Sequence, residues 1–313
     1  MELNSTDPKM KSGGLGESRT YSFEQSGFMF DSVFKNLYSD PIGSIVRELY
    51  TNAMEVSPPG QPPYLTVPSF IAPTFILKDF GPGLSRDDMF NLYTVAGAST
   101  KRTSNQYVGA FGLGAKSPFA YCDSYTVTSR HAGTATTYLV HRNKERIPTM
   151  SEVSSAPCGT DTGLTISIGV RTSDIGKWEE AICEQQLIGM PIKPILFNTT
   201  KSIRPMKELI FAHKNVAIYA KGSYSMPNGL LRMGGPIYPI NGISMASGLF
   251  IDAPIGAVEL TPSRESLVYS QRTNDYVKAC VDEFYAYHSK AIKEEFDKCS
   301  TYFEACKLWH DYT

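Results

Sequence analysis

The chain has 313 residues, 42% hydrophobic, 12% aromatic and 19% charged, the composition of a globular protein long enough for two domains. Its 30 Lys and Arg against 31 Asp and Glu leave a formal net charge of −1, and the basic residues are scattered, so there is no strong nucleic-acid signal. No run of about 18 apolar residues occurs and residues 1–19 lack the apolar stretch of a signal peptide, so an integral membrane segment is not expected and a cytoplasmic location is.

Residues 1–20, rich in Ser, Lys, Gly and Asp, are expected to form a flexible arm. From Asp40 to Val56 the apolar residues Ile42, Ile45, Val46, Leu49 and Ala53 recur at helical spacing, and Pro41 suits a first turn. Ser57-Pro58-Pro59-Gly60 ends that helix. Thr74 to Lys78 reads as a strand that delivers Asp79 into the glycine turn Phe80-Gly81-Pro82-Gly83. Residues 84–108, small and polar in their second half, form a lid candidate.

Strands are expected at Ser124–Ser129, Thr136–His141 and Leu164–Val170, with a helix near Ile175–Ile188. After Pro194 come strands at Ile195–Phe197, Asn215–Tyr219, Leu230–Met233 and Gly248–Ile251, then a closing helix from Gln271 to Leu308. The class is α+β, with two sheets each covered by helices on one face and a boundary near residue 200. Cys122, Cys158, Cys183, Cys280, Cys299 and Cys306 form no CxxC and pair with no His at metal spacing, so they read as reduced packing residues.

Four segments carry candidate chemistry. On the first helix Glu48, Asn52 and Glu55 fall three or four positions apart and share one face, where they either converge on a ligand or line a solvated surface. Asp79 either begins a turn or presents a carboxylate beside Gly81 and Gly83, which permit close approach to a ligand. Gly109-Ala110-Phe111-Gly112-Leu113-Gly114-Ala115-Lys116-Ser117 departs from the Walker pattern at Ala115, yet its glycines and the helix start at Ser117-Pro118 offer backbone N–H groups to phosphate. Gly159-Thr160-Asp161-Thr162-Gly163 is the fourth, and Thr162 either offers its hydroxyl or simply favours a strand.

Taken in order, these segments resemble the GHKL ATPases: gyrase, the ninety-kilodalton heat-shock chaperone, histidine kinases and MutL. Arg47 to Val56 is similar to the N-box, Asp79 to Gly83 and Gly109 to Ser117 to the two glycine boxes, and Thr162-Gly163 to the Thr-Gly element. Ile188-Gly189-Met190-Pro191-Ile192 and Leu260-Thr261-Pro262-Ser263-Arg264-Glu265-Ser266-Leu267 resemble the chaperone and MutL branch. Within it the strings Val46-Arg47-Glu48-Leu49, Lys78 to Gly83, Phe111 to Phe119 and Pro262 to Glu265 are most similar to the phage rIIA rapid-lysis proteins. Glu55 departs from the family, which commonly has Asp there.

The resemblance implies a Bergerat-type α/β sandwich ATP-binding domain over residues 21–200 and a smaller transducer-like α+β domain over 201–313. It implies ATP and Mg2+ as ligands, Glu48 as general base, Asn52 as the magnesium ligand and Asp79 as acceptor for the adenine amine, with Thr162 completing the pocket. Arg264, otherwise an exposed helix-start residue, is implied to act on the γ-phosphate. Ser99, Lys101, Gly109, Phe111, Gly112, Leu113, Gly114, Lys116 and Ser117 are the implied lid and phosphate contacts.

Three functions follow: a slow Mg-dependent ATPase acting as a conformational switch, a non-hydrolysing nucleotide-binding module that engages a protein partner, or a phage effector of lysis timing or host-defence evasion using either chemistry. A nucleotide-dependent homodimer, a host or phage protein partner and a peripheral membrane contact belong to the same set of expectations. A histidine kinase is disfavoured, because none of His131, His141, His213, His288 and His310 lies in a helical dimerisation segment ahead of the nucleotide domain.

Overall fold

A computed structural model of the chain describes residues 26–94, 114–206, 208–219, 229–246 and 248–312. The chain divides into two compact units, residues 1–205 with 234–236, and residues 206–233 with 237–313.

In the first unit, helix α1 (Gly27–Leu37) precedes α2 (Pro41–Val56). Pro41 occupies the first turn of α2, and the Asp40 carboxylate caps it by accepting a hydrogen bond from Gly43 N at 3.0 Å. Strands β1 (Tyr64–Thr66) and β2 (Thr74–Lys78) form a hairpin, followed by the helical turn α3 (Arg86–Asp88) and a π-helical stretch, Met89–Tyr93. A 3-10 helix, Gly114–Ala120, leads into β3 (Ser124–His131), β4 (Thr134–Arg142), β5 (Pro148–Pro157) and β6 (Gly163–Gly169). Helix α4 (Ile175–Glu180) runs into a π-helical turn, Ala181–Gln186, and β7 (Ile195–Phe197) completes the unit. The helix expected over Ile175–Ile188 is therefore α-helical only in its first half.

The seven strands form one mixed sheet in the order β5-β4-β3-β6-β2-β1-β7, antiparallel except for the parallel β1–β7 pair. Alternation along the strands sends Leu65, Phe75, Leu77, Tyr125, Val127, Tyr138, Val140, Ile166 and Ile168 to one buried face. There they join Ile45, Val46, Leu49, Tyr50 and Ala53 of α2, and Trp178 of α4 stacks obliquely on Phe75 at 4.9 Å. Each large aliphatic side chain so buried contributes about 1.5–3 kcal/mol, so α2 is fixed to the sheet by its own apolar stripe. The opposite face carries half-buried Thr126, Thr128, Thr137, Thr165 and Ser167.

The second unit holds β8 (Leu209–His213), β9 (Val216–Tyr219), β10 (Leu230–Met233), β11 (Ile237–Pro239) and β12 (Leu249–Ala253) in the order β11-β10-β12-β9-β8. A hairpin of β13 (Glu259–Leu260) and β14 (Leu267–Val268) precedes α5 (Gln271–Phe296). Val277, Val281 and Phe284, at helical spacing, bury one stripe of α5 with Leu231, Leu249 and Ile251. The closing helix does not run unbroken to Leu308. It stops at Phe296, and α6 (Tyr302–Tyr312) starts afresh because Thr301 and Glu304 form a capping box. Glu304 N donates to Thr301 Oγ1 at 3.2 Å, and the Glu304 carboxylate accepts from Thr301 N at 3.2 Å and Ser300 N at 2.8 Å. The chain is thus α+β with mixed sheets, a composition compatible with an α/β sandwich in the first unit.

Candidate functional site

Helix α2 is buried on nearly all sides, Asn52 and Glu55 being half-buried. Glu48, only 4% exposed, faces the 3-10 helix Gly114–Ala120. A Cβ added to Gly114 would stand 2.6 Å from Glu48 Oε2 and 3.6 Å from Asn52 Nδ2. The end of the second glycine segment therefore lies against Glu48 and Asn52, two of the three polar residues that the sequence singled out on α2, and the missing side chain makes room for them.

The Glu48 carboxylate has a cationic neighbour. Arg47 Nε lies 3.7 Å from Glu48 Oε1, and the guanidinium is held by Ser44 Oγ at 3.1 Å and, more weakly, by Gln186 Oε1 at 3.5 Å. Gln186 ends the π-helical turn, so this clamp depends on a local distortion that sequence periodicity does not reveal.

Eight residues along α2, roughly 12 Å at 1.5 Å per residue, Val56 meets the second half of the site. A Cβ on Gly81 would lie 2.9 Å from Val56 Cγ2 and 3.3 Å from Asp79 Oδ1. Asp79 leaves the end of β2 only 7% exposed. Its Oδ1 accepts from Gly81 N at 2.9 Å and Leu164 N at 3.0 Å, while Oδ2 has no hydrogen-bond partner among the described residues. Burial raises the Asp79 pKa above the ordinary carboxylate value, and the two backbone N–H groups and nearby Lys78 oppose the rise. The result is a carboxylate with one oxygen anchored and the other open.

Gly163, beside half-buried Thr162, has φ +111°, and a Cβ there would stand 2.2 Å from Asp79 O. Gly83 has φ +69°, with Arg130 O at 2.2 Å from a notional Cβ. Both positions need glycine for conformation and space together. Asp161 anchors the turn before Thr162: Lys78 Nζ lies 3.0 Å and Arg130 Nε 3.1 Å from its carboxylate oxygens. Sequence reasoning missed this cross-strand clamp, whose partners are separated by 83 and 31 positions and carried no local signal.

Lys116 is buried over the Tyr93 ring at 5.6 Å, and desolvation pushes its pKa down to about 8. Ser117 Oγ is fully buried without a hydrogen-bond partner among the described residues. Ser99, Lys101, Gly109, Phe111, Gly112 and Leu113 lie outside the described residues. Among the described residues no three His, Cys, Asp or Glu cluster to hold a metal, so the side chains here form no cage of their own. A hard cation held here would take the Asn52 amide oxygen as its protein ligand and complete its shell with phosphate oxygens and water.

Arg264 belongs to the second unit and is not the exposed start of a helix. It is 6% exposed, has φ +57° and sits in the turn between β13 and β14, where its N–H donates to Thr261 O at 2.8 Å.

No protein-family model matches the chain. Over part of its length it is similar to the chaperone protein HtpG of Methylorubrum extorquens and of Methylorubrum populi, 29% identical over 168 residues, which is 44% of this chain and 27% of each relative. The HtpG of Rhodopseudomonas palustris is 32% identical over 107 residues, 31% of this chain and 17% of that protein. The chain thus spans about a quarter or less of the length of the curated relatives it matches. The likeness is weak and partial, and it supports the chaperone side of the resemblance in the motifs. Among the described residues no helix is long and apolar enough to cross a membrane.

Proposed function

We propose that the first unit binds an adenine nucleotide along the face of α2, with the base against Asp79 and the phosphates toward Glu48, Asn52 and Gly114. One observation carries this reading: the Gly81–Val56 and Gly114–Glu48 contacts set the Asp79 carboxylate and a glycine-lined polar patch beside two points of the same helix, about a nucleotide's length apart. Asp79 Oδ2 is an acceptor suited to the exocyclic amine of adenine and unsuited to the carbonyl oxygen that guanine presents at the equivalent ring position. Gly81 and Gly163 keep side chains away from the anchored Oδ1 of the same carboxylate.

The similarity to HtpG supports the wider reading of an ATP-binding, Mg-dependent module of GHKL type. Bound magnesium would supply charge neutralisation on the phosphates. Glu48 would hold and deprotonate the attacking water, worth about 10²- to 10⁴-fold in rate. Lys116 would add positive charge at the phosphate end, and Glu55, Gly83, Ser117 and Thr162 would line the site. Arg264 we assign to the γ-phosphate, as the motif in its segment implies. At the broadest level the reading is of a conformational switch of phage rIIA type, acting in the host cytoplasm on lysis timing or host defence through a protein partner. That breadth rests on the sequence strings alone.

A second reading has its own observation. Arg47 Nε at 3.7 Å engages the Glu48 carboxylate, which favours a nucleotide-binding module with little turnover over an active hydrolase. Calorimetric titration with ADP and GDP tests binding, and phosphate release by wild type against Glu48→Ala tests turnover. Adenine-selective binding with release abolished in Glu48→Ala supports the ATPase. Binding with equal, near-zero release leaves the module, and no binding of either nucleotide overturns both.

A further inference from the structure

Two buried tyrosines converge on one backbone oxygen. Tyr93, which ends the π-helical stretch, and Tyr125, at the start of β3, are 7% and 3% exposed, and their hydroxyls donate to Ala115 O at 3.1 and 3.2 Å. A buried phenol costs desolvation that phenylalanine avoids, so each hydroxyl needs an acceptor. The acceptor in turn lacks its helical donor. In a 3-10 helix a carbonyl accepts from the N–H three residues on, and for Ala115 that residue is Pro118, which has none. The two phenol hydrogens suit the two lone pairs of that carbonyl. Burial raises Tyr93 to about 12 and Tyr125 well above its usual value, so both remain donors throughout the neutral range.

Ala115 stands between Gly114, which lies against Glu48, and Lys116, whose Nζ rests 5.6 Å from the centre of the Tyr93 ring. Tyr93 therefore grips this segment twice, through its hydroxyl on Ala115 and through its ring beside Lys116. Phe119, further along the same helix, packs edge-on to Tyr125 at 5.4 Å, so the second phenol is located by the helix it secures. Ring packing alone would serve as well with phenylalanine. What the hydroxyls add is the direction of one peptide group.

We propose that Tyr93 and Tyr125 are a positioning pair for the phosphate end of the site: by fastening Ala115 O they set Gly114 against Glu48 and hold Lys116 where its ammonium meets phosphate. This rests on the nucleotide reading above and adds two residues that do not themselves touch the ligand. Without the two phenol donors, the segment would shift outward until water replaced them at Ala115 O, carrying Lys116 into solvent.

Tyr93→Phe/Tyr125→Phe keeps both rings and removes both donors; each single variant, expected to give part of the same changes, replaces it should the double not fold. Two measurements are made on each protein: ADP affinity by calorimetry at pH 7, 8 and 9, and titration of the Lys116 ammonium by NMR without nucleotide, assigned with Lys116→Met. In wild type burial holds that ammonium down to about 8. Of the titratable groups around the pair, Tyr93, Tyr125 and Cys122, the last pushed up to about 11, lose their protons above this range, and Glu48 and Arg47 lie across Gly114. The double variant is expected to bind ADP ~10-fold more weakly at pH 7, to show a flatter decline to pH 9, and to move Lys116 towards the usual 10.5. Wild-type ADP binding together with unchanged affinity and unchanged Lys116 titration in the variant overturns the inference alone. So does weaker binding with Lys116 unmoved, the result of a merely structural role, and so does a moved Lys116 with unchanged affinity. A wild type that binds no ADP overturns the nucleotide reading and the role of the pair with it.

Discussion

Replacing Asp79 by Asn separates the ligand role of this carboxylate from its structural one. Asp79 Oδ1 is fixed by two donors, Gly81 N at 2.9 Å and Leu164 N at 3.0 Å. An Asn side chain can satisfy both only with its carbonyl oxygen in that place, since the reversed amide would set N–H against N–H. The amide nitrogen is thereby forced into the position of the open Oδ2, where it faces the adenine amine donor to donor. Leaving such buried groups unpaired costs about 2–4 kcal/mol including the lost charge assistance, or roughly 30- to 900-fold in affinity.

Stability moves the other way. The folded-state pKa of Asp79 is raised, chiefly by burial, so the folded protein binds this proton more tightly than the unfolded chain. The associated stability is fully present below the unfolded carboxylate pKa and is lost as pH rises through the folded value. Asn carries no such penalty, so Asp79→Asn at pH 7 is expected to melt at or above the wild-type temperature and to lose part of the pH dependence above about pH 4. Calorimetric titration with ADP and thermal melts from pH 4 to 8 measure both. A variant that binds ADP like wild type, or that melts well below it, refutes the reasoning.

Three other substitutions probe separate parts of the site. The depressed pKa of Lys116, about 8, means that its charge in the folded protein is lost across neutral-to-alkaline pH. ADP affinity is expected to fall as pH rises from 7 to 9, by up to about tenfold, and Lys116→Met to flatten that profile in titrations at three pH values. The same depression makes the folded state bind fewer protons than the unfolded chain between about 8 and 10.5, so wild-type stability gains from this residue as pH rises through that window, checked by urea unfolding. Gly163→Ala forces a side chain at φ +111° onto Asp79 O and is expected to destabilise by at least about 1–3 kcal/mol in urea, with wild-type stability as the contrary result. Gly114→Ala sets its Cβ against the far end of the Glu48 side chain, 2.6 Å from Oε2, and displaces that carboxylate, so phosphate release is expected to fall at least tenfold; unaltered turnover would separate Gly114 from the chemistry.

The sequence made α2 legible because every local signal agreed. Pro41 opens it, the apolar residues follow a 3.6 period, and Ser57-Pro58-Pro59 closes it. Strand β5 left no comparable mark: residues 151–157 are exposed on both faces, so no alternation exists, and the strand is defined by its ladder with β4. β1 and β7 are three residues each, too short for a pattern, although Pro194 marks the start of β7. The break after α5 was written in Thr301 and Glu304, but uninterrupted apolar spacing through residues 296–308 outweighed a two-residue cap.

At the site, residue types and order were readable while geometry was not. That Asp79 would anchor one oxygen on Leu164, 85 positions away, depends on the β2–β6 pairing. The burial of Lys116 and the Ser44–Arg47–Gln186 clamp are likewise products of packing between elements distant in sequence. Arg264 shows the reverse error: Ser-Arg-Glu after a proline suits a helix start, yet the short β13–β14 pairing holds it in a left-handed turn.

A crystal structure with a non-hydrolysable ATP analogue and magnesium tests the central claim most directly. The account predicts the adenine amine within hydrogen-bond distance of Asp79 Oδ2 and the phosphates lying along α2 toward Asn52, Gly114 and Glu48. Nucleotide density elsewhere, or a base turned away from Asp79 with the phosphates remote from Glu48, would contradict it.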